Sequence, residues 1–487
     1  MSIFDKAREH AVIRSTADTL GWDQETFLPP AAAAHRASQL SWLSSRAHEL
    51  SVSDEWKREL EEAEAQASQA GPTTVANLKE LPRQLDRATK PPVELVARES
   101  AATSLGMHAW ADARKNSDFA AFAPHLETLV RIAREKADLW GYEEEPYDAL
   151  LASHERATST AAVASLFDKL APDVKRIAAQ AVENSKKHPV QLPAGPYPVA
   201  AQQELNRRIA ESIGFDFDAG RIDTTTHPFC TTLGPRDVRL TTRYDESDFT
   251  SSLFGVLHEA GHGLYEQGLP GDDFGLPSGS SVSLGIHESQ SRLWENHVGR
   301  SHEFWQRWYP VAQEIFPALA GFPLDDFMRF VLRSDFSPIR VEADEATYDL
   351  HILLRFGLER QLIRGSLAVK DVPHAWNEAF RELFGFTPPD DRHGCLQDIH
   401  WSMGGLGYFA TYTLGNLNSA QLFAAAKKDT SVAAAIQNAD YAPLLAWLRK
   451  SVHSHGATLD PADLMEQATG KKPSAEDYLA HLTTRYL

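Results

Sequence analysis

Cysteine is nearly absent: two residues in 487, Cys230 and Cys395, far apart and in no CxxC arrangement. A disulfide framework and a thiolate metal knuckle are thereby excluded, and two scattered free thiols fit a reducing compartment. No run of about 18 apolar residues occurs, so no membrane-spanning helix is expected, and residues 1–14 mix charged with apolar side chains where a secretory signal would need a continuous apolar stretch. Positive charge is in deficit: Lys+Arg number 48 against 67 for Asp+Glu, a formal net charge of −19. A chain this acidic repels phosphate backbones, which excludes nucleic acid as a partner. Internal repeats, low-complexity tails and long flexible linkers are also missing, so no domain boundary is expected within residues 1–487. The expectation is a soluble cytoplasmic protein with a single catalytic domain.

What the sequence does have is apolar residues at helical spacing. Residues 55–69, 94–115, 119–139 and 160–186 each read as amphipathic helices. Pro29-Pro30, Gly71-Pro72, Pro91-Pro92 and the turn-rich 192–196 stretch punctuate them. Strand-like sequence is scarce, and its best stretch is 237–244, where β-branched and aromatic residues alternate with charged ones after Gly234-Pro235. Helices are again expected at 251–267, 284–298, 324–334 and 343–362. The fold class is therefore mainly α, with a small β-sheet beside the helices that carry the chemistry.

That chemistry collects around His258-Glu259-Ala260-Gly261-His262. In a helix, positions i and i+4 lie one turn apart on the same side, so both imidazoles can reach one cation while Glu259 projects beside them. A catalytic zinc takes three protein ligands and keeps one position open, so a third donor is required. Glu288, in the next amphipathic helix, is the best candidate. His287 is the alternative, but neighbouring residues point about 100° apart on a helix and only one of the two can face the metal. His258, His262 and Glu288 would hold the cation and Glu259 would act as general base, which points to peptide-bond hydrolysis.

These residues resemble the carboxypeptidase Taq family of metallocarboxypeptidases. Asp237-Val-Arg239-Leu-Thr241 is similar to its DxRxT motif, His258 to His262 to HExxH, and His287-Glu288-Ser289-Gln290 to HES(G/Q). Ile339-Arg340-Val-Glu-Ala343-Asp344 resembles IRxxAD, and Gly394-Cys-Leu-Gln397-Asp398-Ile-His400-Trp401 resembles GxxQDxHW. All five fall in the family's order, and Trp22-Asp23-Gln24-Glu25-Thr26 followed by Pro29-Pro30 is similar to its opening.

The resemblance implies a large helical peptidase with a deep central groove, a cytoplasmic homodimer, and stepwise removal of residues from the carboxyl ends of peptides with broad specificity. It implies one divalent metal ion per subunit, zinc first and cobalt accepted. Cleavage of internal bonds, as by a metallo-oligopeptidase, is the competing activity on such a scaffold. A carboxypeptidase must also grip a terminal carboxylate, for which a guanidinium's parallel donors are suited. Arg340, through its place in IRxxAD, is the first choice and Arg239 the second. Arg340's competing role is an ion pair with Glu342, Asp344 or Glu345. Similarity to related helical metallopeptidases suggests His400 and one of Tyr408 and Tyr412 as oxyanion donors. The sequence departs from the family in having Ala410 where Pro is usual, and His154-Glu155-Arg156-Ala157 near a usual Glu-Pro-Gly stretch.

Overall fold

Helix-forming periodicity carries through to a chain that is 70% helical. The computed structural model describes residues 2–487, with 20 α-helices and one three-stranded sheet among them. The expected helices appear as Asp54–Ala65, Val93–Asn116, Phe119–Trp140, Thr160–Lys187, Phe249–Glu266 and Leu324–Val331. Several begin on side-chain caps that satisfy otherwise unpaired backbone N–H groups: Ser53, Asp118, Ser159 and Asp248 each accept a hydrogen bond from the first turn. No helix among the described residues is long and apolar enough to cross a membrane.

Four expected helices differ in detail: the 55–69 stretch ends as a helix at Ala65 and the 324–334 stretch at Val331. The 284–298 stretch is α-helical over Leu284–Arg292 and then widens to a π-helix over Leu293–Val298. The helix expected from residue 343 begins at Tyr348. Asp344 prevents the earlier start, because its carboxylate accepts from the backbone N–H of Asp335 and Ala346, each at 3.0 Å, and from Thr347 Oγ1 at 2.9 Å. An aspartate so occupied stabilises a turn in preference to a helix.

By backbone contacts the chain forms two compact units, each assembled from three segments. The first takes Met1–Leu85, Val190–Val331 and Asn418–Pro473; the second takes Asp86–Pro189, Leu332–Leu417 and Ser474–Leu487. In the first unit the sheet runs β1 (Gly220–Thr224), β3 (Asp237–Thr242), β2 (Cys230–Gly234), with β1 parallel and β2 antiparallel to β3. Its register sets Arg221 opposite Arg239. Like charges in that position repel, and the structure offsets this twice. Arg221 binds Asp223 and Arg239 binds Asp237, two residues along their own strands, through paired bonds of 2.7–2.9 Å. Both guanidinium groups also lie over the Trp22 ring, at 5.3 and 4.1 Å from its centre. Trp22, from the Ile3–Thr26 helix, thereby docks that helix on the sheet.

The core of the first unit centres on Phe249–Glu266, whose Leu253, Val256, Leu257, Ala260, Leu264 and Tyr265 are buried. The second unit centres on Tyr348–Arg364, which buries Asp349, His351, Arg355 and Glu359 along with its apolar residues. The departures from the family pattern also have structural readings. Ala157 has φ +54°, a left-handed backbone that suits glycine better. Ala410 is the first residue of the Ala410–Ala426 helix, where proline is well tolerated.

Candidate metal centre

His258 and His262 sit one turn apart on the Phe249–Glu266 helix, with ring centres 4.9 Å apart and planes at 85°. The Leu284–Arg292 helix brings Glu288 to them, its Oε2 lying 3.6 Å from His258 Nε2 and 3.4 Å from His262 Nε2. One donor atom from each of the three residues lies within 4.8 Å of the others. This close crossing of two helices depends on Gly261. A Cβ there would stand 2.6 Å from both Gln290 O and Ser291 Cα.

The far side of each imidazole is also held. His258 Nδ1 is 2.9 Å from Glu295 Oε2. His262 Nδ1 lies 3.0 Å from the His287 carbonyl and 2.6 Å from His287 Nδ1. His287 Nε2 is 2.8 Å from Glu266 Oε1, whose other oxygen accepts from Thr232 Oγ1 at 2.7 Å. With its Nε2–H given to Glu266, His287 presents an acceptor Nδ1, so the His262 proton belongs on Nδ1 and its Nε2 keeps a free lone pair. His287 therefore stands behind His262, outside the three-donor cluster.

Charge at the site is dominated by buried carboxylates. Burial pushes the Glu259 carboxyl up to about 7; His258 works against this and the neighbouring Glu288 and Glu295 add to it. Glu259 is 7% exposed and its carboxylate makes no hydrogen bond among the described residues, so its oxygens remain available. Burial disfavours ionised Glu288 and Glu295, but Arg292 and His258 outweigh it, holding Glu288 well below the usual carboxylate range and Glu295 down to about 2. For His258, burial is likewise outweighed, by Glu288 and Glu295, and its pKa rises to about 9. The local field favours added positive charge. Two imidazoles and one carboxylate are the donor set of a hydrolytic zinc site, so the residues present fit a divalent cation.

The second unit brings together all the remaining candidates except Arg239. Arg340 is buried; its Nε and Nη2 donate to Asp398 Oδ1 at 3.0 and 2.8 Å, and its Nη1 to Tyr348 Oη at 2.8 Å. Asp398 is thus its partner, in place of Glu342, Asp344 or Glu345. Glu345 instead receives His481, Arg485 and Tyr486. The other oxygen of Asp398 takes Arg355 Nε at 2.7 Å. Two guanidinium groups against one carboxylate leave a surplus positive charge. His400 Nε2 is 3.3 Å from Tyr412 Oη, and burial lowers its pKa to about 4, so the ring is neutral at pH 7. Tyr408 contacts both rings, with centres 5.2 Å from His400 and 5.4 Å from Tyr412. Arg239 belongs to the sheet of the first unit, held by Asp237 and Trp22.

Sequence reasoning passed over Arg292, Glu295 and Glu266, and in the second unit Arg355 and Glu359. Residues 288, 292 and 295 repeat at helical spacing, which was a usable signal. Arg355 and Glu359, one turn apart among the apolar residues Leu354, Phe356, Leu358, Leu362 and Ile363, were another.

A profile of the carboxypeptidase Taq (M32) metallopeptidase family matches residues 2–486. Thermostable carboxypeptidase 1 of Thermus thermophilus is 39% identical over 497 aligned residues, spanning 100% of this chain and 98% of that relative. Carboxypeptidase 1 of Bacillus subtilis is 34% identical over 99% of this chain and 97% of its own length. Among solved structures, the M32 carboxypeptidase of Deinococcus radiodurans R1 superposes with a TM-score of 0.96 at 36% identity, covering 99% of this chain and 98% of that one.

Proposed function

Since the chain belongs to the carboxypeptidase Taq (M32) metallopeptidase family and is a metallocarboxypeptidase, we propose that it removes single residues from the carboxyl ends of peptides, with broad terminal preference, at the His258, His262 and Glu288 cluster. The observation that carries this reading is the convergence of two imidazole nitrogens and one carboxylate oxygen beside a buried, unbonded Glu259. His258, His262 and Glu288 would hold a divalent cation, zinc or cobalt, which would supply Lewis acidity for activating water and polarising a carbonyl.

The chain's residues perform the rest. Glu259, with no internal hydrogen bond to give up, takes the proton from the attacking water and hands it to the leaving amine. Glu295 and the His287–Glu266 pair fix the tautomers of the two histidines. Arg340 receives the substrate's terminal carboxylate. Arg355 supports that role by sharing Asp398, so one positive charge remains for the ligand. His400, kept neutral by burial, supplies an N–H to the developing oxyanion, with Tyr412 or Tyr408 as the second donor. Arg239, already engaged by Asp237 and Trp22, acts on substrate only indirectly, through the sheet.

The family match runs unbroken through the segments of both units, which supports reading residues 1–487 as one catalytic domain. A deep substrate groove, a homodimer and a cytoplasmic location complete the proposal. Its test is a mass-spectrometric time course on an unblocked peptide and its amidated twin, before and after chelation and metal restoration. The expected result is a ladder losing one residue at a time from the free carboxyl end, stopped by chelator and by amidation. Internal cuts in both peptides would make the protein a metallo-oligopeptidase instead.

A further inference from the structure

The carboxylate of Glu288 is held on both sides. Arg292, one turn along the same helix, donates Nε to Glu288 Oε1 at 2.7 Å and Nη1 to Glu295 Oε2 at 3.3 Å. That second oxygen is the one 2.9 Å from His258 Nδ1. Glu288 Oε2 faces His258 and His262 Nε2, and lies 2.9 Å from Ser291 Oγ, a hydroxyl that also lies 2.7 Å from the Glu288 carbonyl. Arg292 is largely buried, and Glu295 is further tied by Arg300 Nη2 at 3.3 Å. The π-helix starts at Leu293, directly after Arg292, and the segment it spans contains Glu295. A π-turn costs hydrogen-bond geometry and tends to persist where function requires the displaced side chain.

We propose that Arg292 is a positioning residue that restricts Glu288 to one-oxygen ligation and locks it in register with His258. The inference rests on the assignment of Glu288 as third ligand. A carboxylate with both oxygens free can chelate a cation through both and take up the position that water or substrate needs. With Oε1 occupied by a charged donor, only Oε2 is presented to the imidazoles, so the three residues would offer a cation three donor atoms and leave room for a fourth partner. The same guanidinium bridges Glu288 to the carboxylate that orients His258, so two of the three donors share one clamp. A lysine in its place has the charge but lacks the planar fork needed to hold both carboxylates.

The test uses full-length protein loaded with cobalt(II), comparing wild type with Arg292→Gln, Arg292→Lys and Glu288→Ala. Two readouts are independent of turnover: the visible d–d spectrum, which weakens as coordination number rises, and the rate of metal release to a chelator. Both Arg292 variants are expected to show a weakened spectrum, with release about 10- to 100-fold faster in Arg292→Gln and less in Arg292→Lys. Turnover should fall through kcat more than through KM. Wild-type spectrum and release rate in Arg292→Gln would overturn the proposal, and should that variant fail to fold, the same result in Arg292→Lys would do so. A Glu288→Ala protein with an unchanged spectrum would instead overturn the ligand assignment beneath it.

Discussion

Gly261→Ala tests whether the helix crossing positions the metal ligands. The added Cβ would lie 2.6 Å from Gln290 O and Ser291 Cα, both backbone atoms that cannot rotate away, whereas ordinary contact starts at 3.4 Å. The helices must therefore separate locally by about 0.8 Å, and Glu288 travels with the helix that moves. Metal–ligand bonds tolerate only about 0.2 Å, so a shift of this size should weaken metal affinity by about 10- to 100-fold, the range seen when supporting contacts are lost. Stability should fall by at most about 2 kcal/mol, because overpacking of about 1–3 kcal/mol is partly offset by about 1 kcal/mol of helix propensity gained over glycine. Gly357 is the control: it also lies inside a helix, and a Cβ there meets nothing within 4 Å, so Gly357→Ala should be neutral or stabilising with metal affinity unchanged. Chelator competition gives the affinities, and thermal melting with and without metal gives the stabilities. If Gly261→Ala binds metal as tightly as wild type, the crossing does not set the donor geometry and the argument fails.

Glu259→Gln should lower turnover by about 10²–10⁴ while metal affinity, measured by the same competition, stays the same. Arg340→Ala should reduce kcat/KM for free-acid peptides by about 10- to 100-fold and leave the low rate on amidated peptides unchanged; an equal loss on both would mean that Arg340 serves only the buried ion pair with Asp398. Glu359 predicts a pH effect on stability. Burial raises its pKa to about 7 despite hydrogen bonds from Tyr147, Gly407 N–H and Trp401. Between the unfolded value of about 4.3 and 7 the folded state holds the extra proton, so the Glu359 contribution is complete at low pH and declines as pH rises through 7. Chemical unfolding should then show wild type losing stability relative to Glu359→Gln by about 2–4 kcal/mol between pH 5 and 8; a difference that is flat or of opposite sign would refute the shift.

What the sequence made legible was local. HExxH needs only helical spacing, and Glu288 follows from a helix pattern that holds even though the last six residues of its stretch are π. Arg340's partner was out of reach, since Asp398 lies 58 residues away and charged neighbours closer in sequence looked equally able. Asp344, one of those neighbours, instead ends a turn and delays a helix. Strands β1 and β2 escaped notice because Gly220-Arg-Ile-Asp-Thr224 and Cys230-Thr-Thr-Leu-Gly234 are short and carry glycine at one end. Their place comes from tertiary context: Trp22, near the end of the first helix, packs on the paired arginines of strands some 200 residues later.

The interleaved assembly of the two units has a consequence for how the protein is made. The metal-site residues lie within 258–300 and emerge from the ribosome together, yet their unit is completed by 418–473, where His453 supplies the 2.9 Å partner of Gln290. At about 5–20 residues per second, roughly 8–30 s separate synthesis of residue 300 from that of residue 453. The second unit waits longer still, until 474–487 bring Tyr478 onto the buried Asp349. Through that interval the nascent chain displays apolar surface that its final segments will cover, which makes it a client for chaperones and a target for proteases. For the same reason, no single cut in the gene separates the two units.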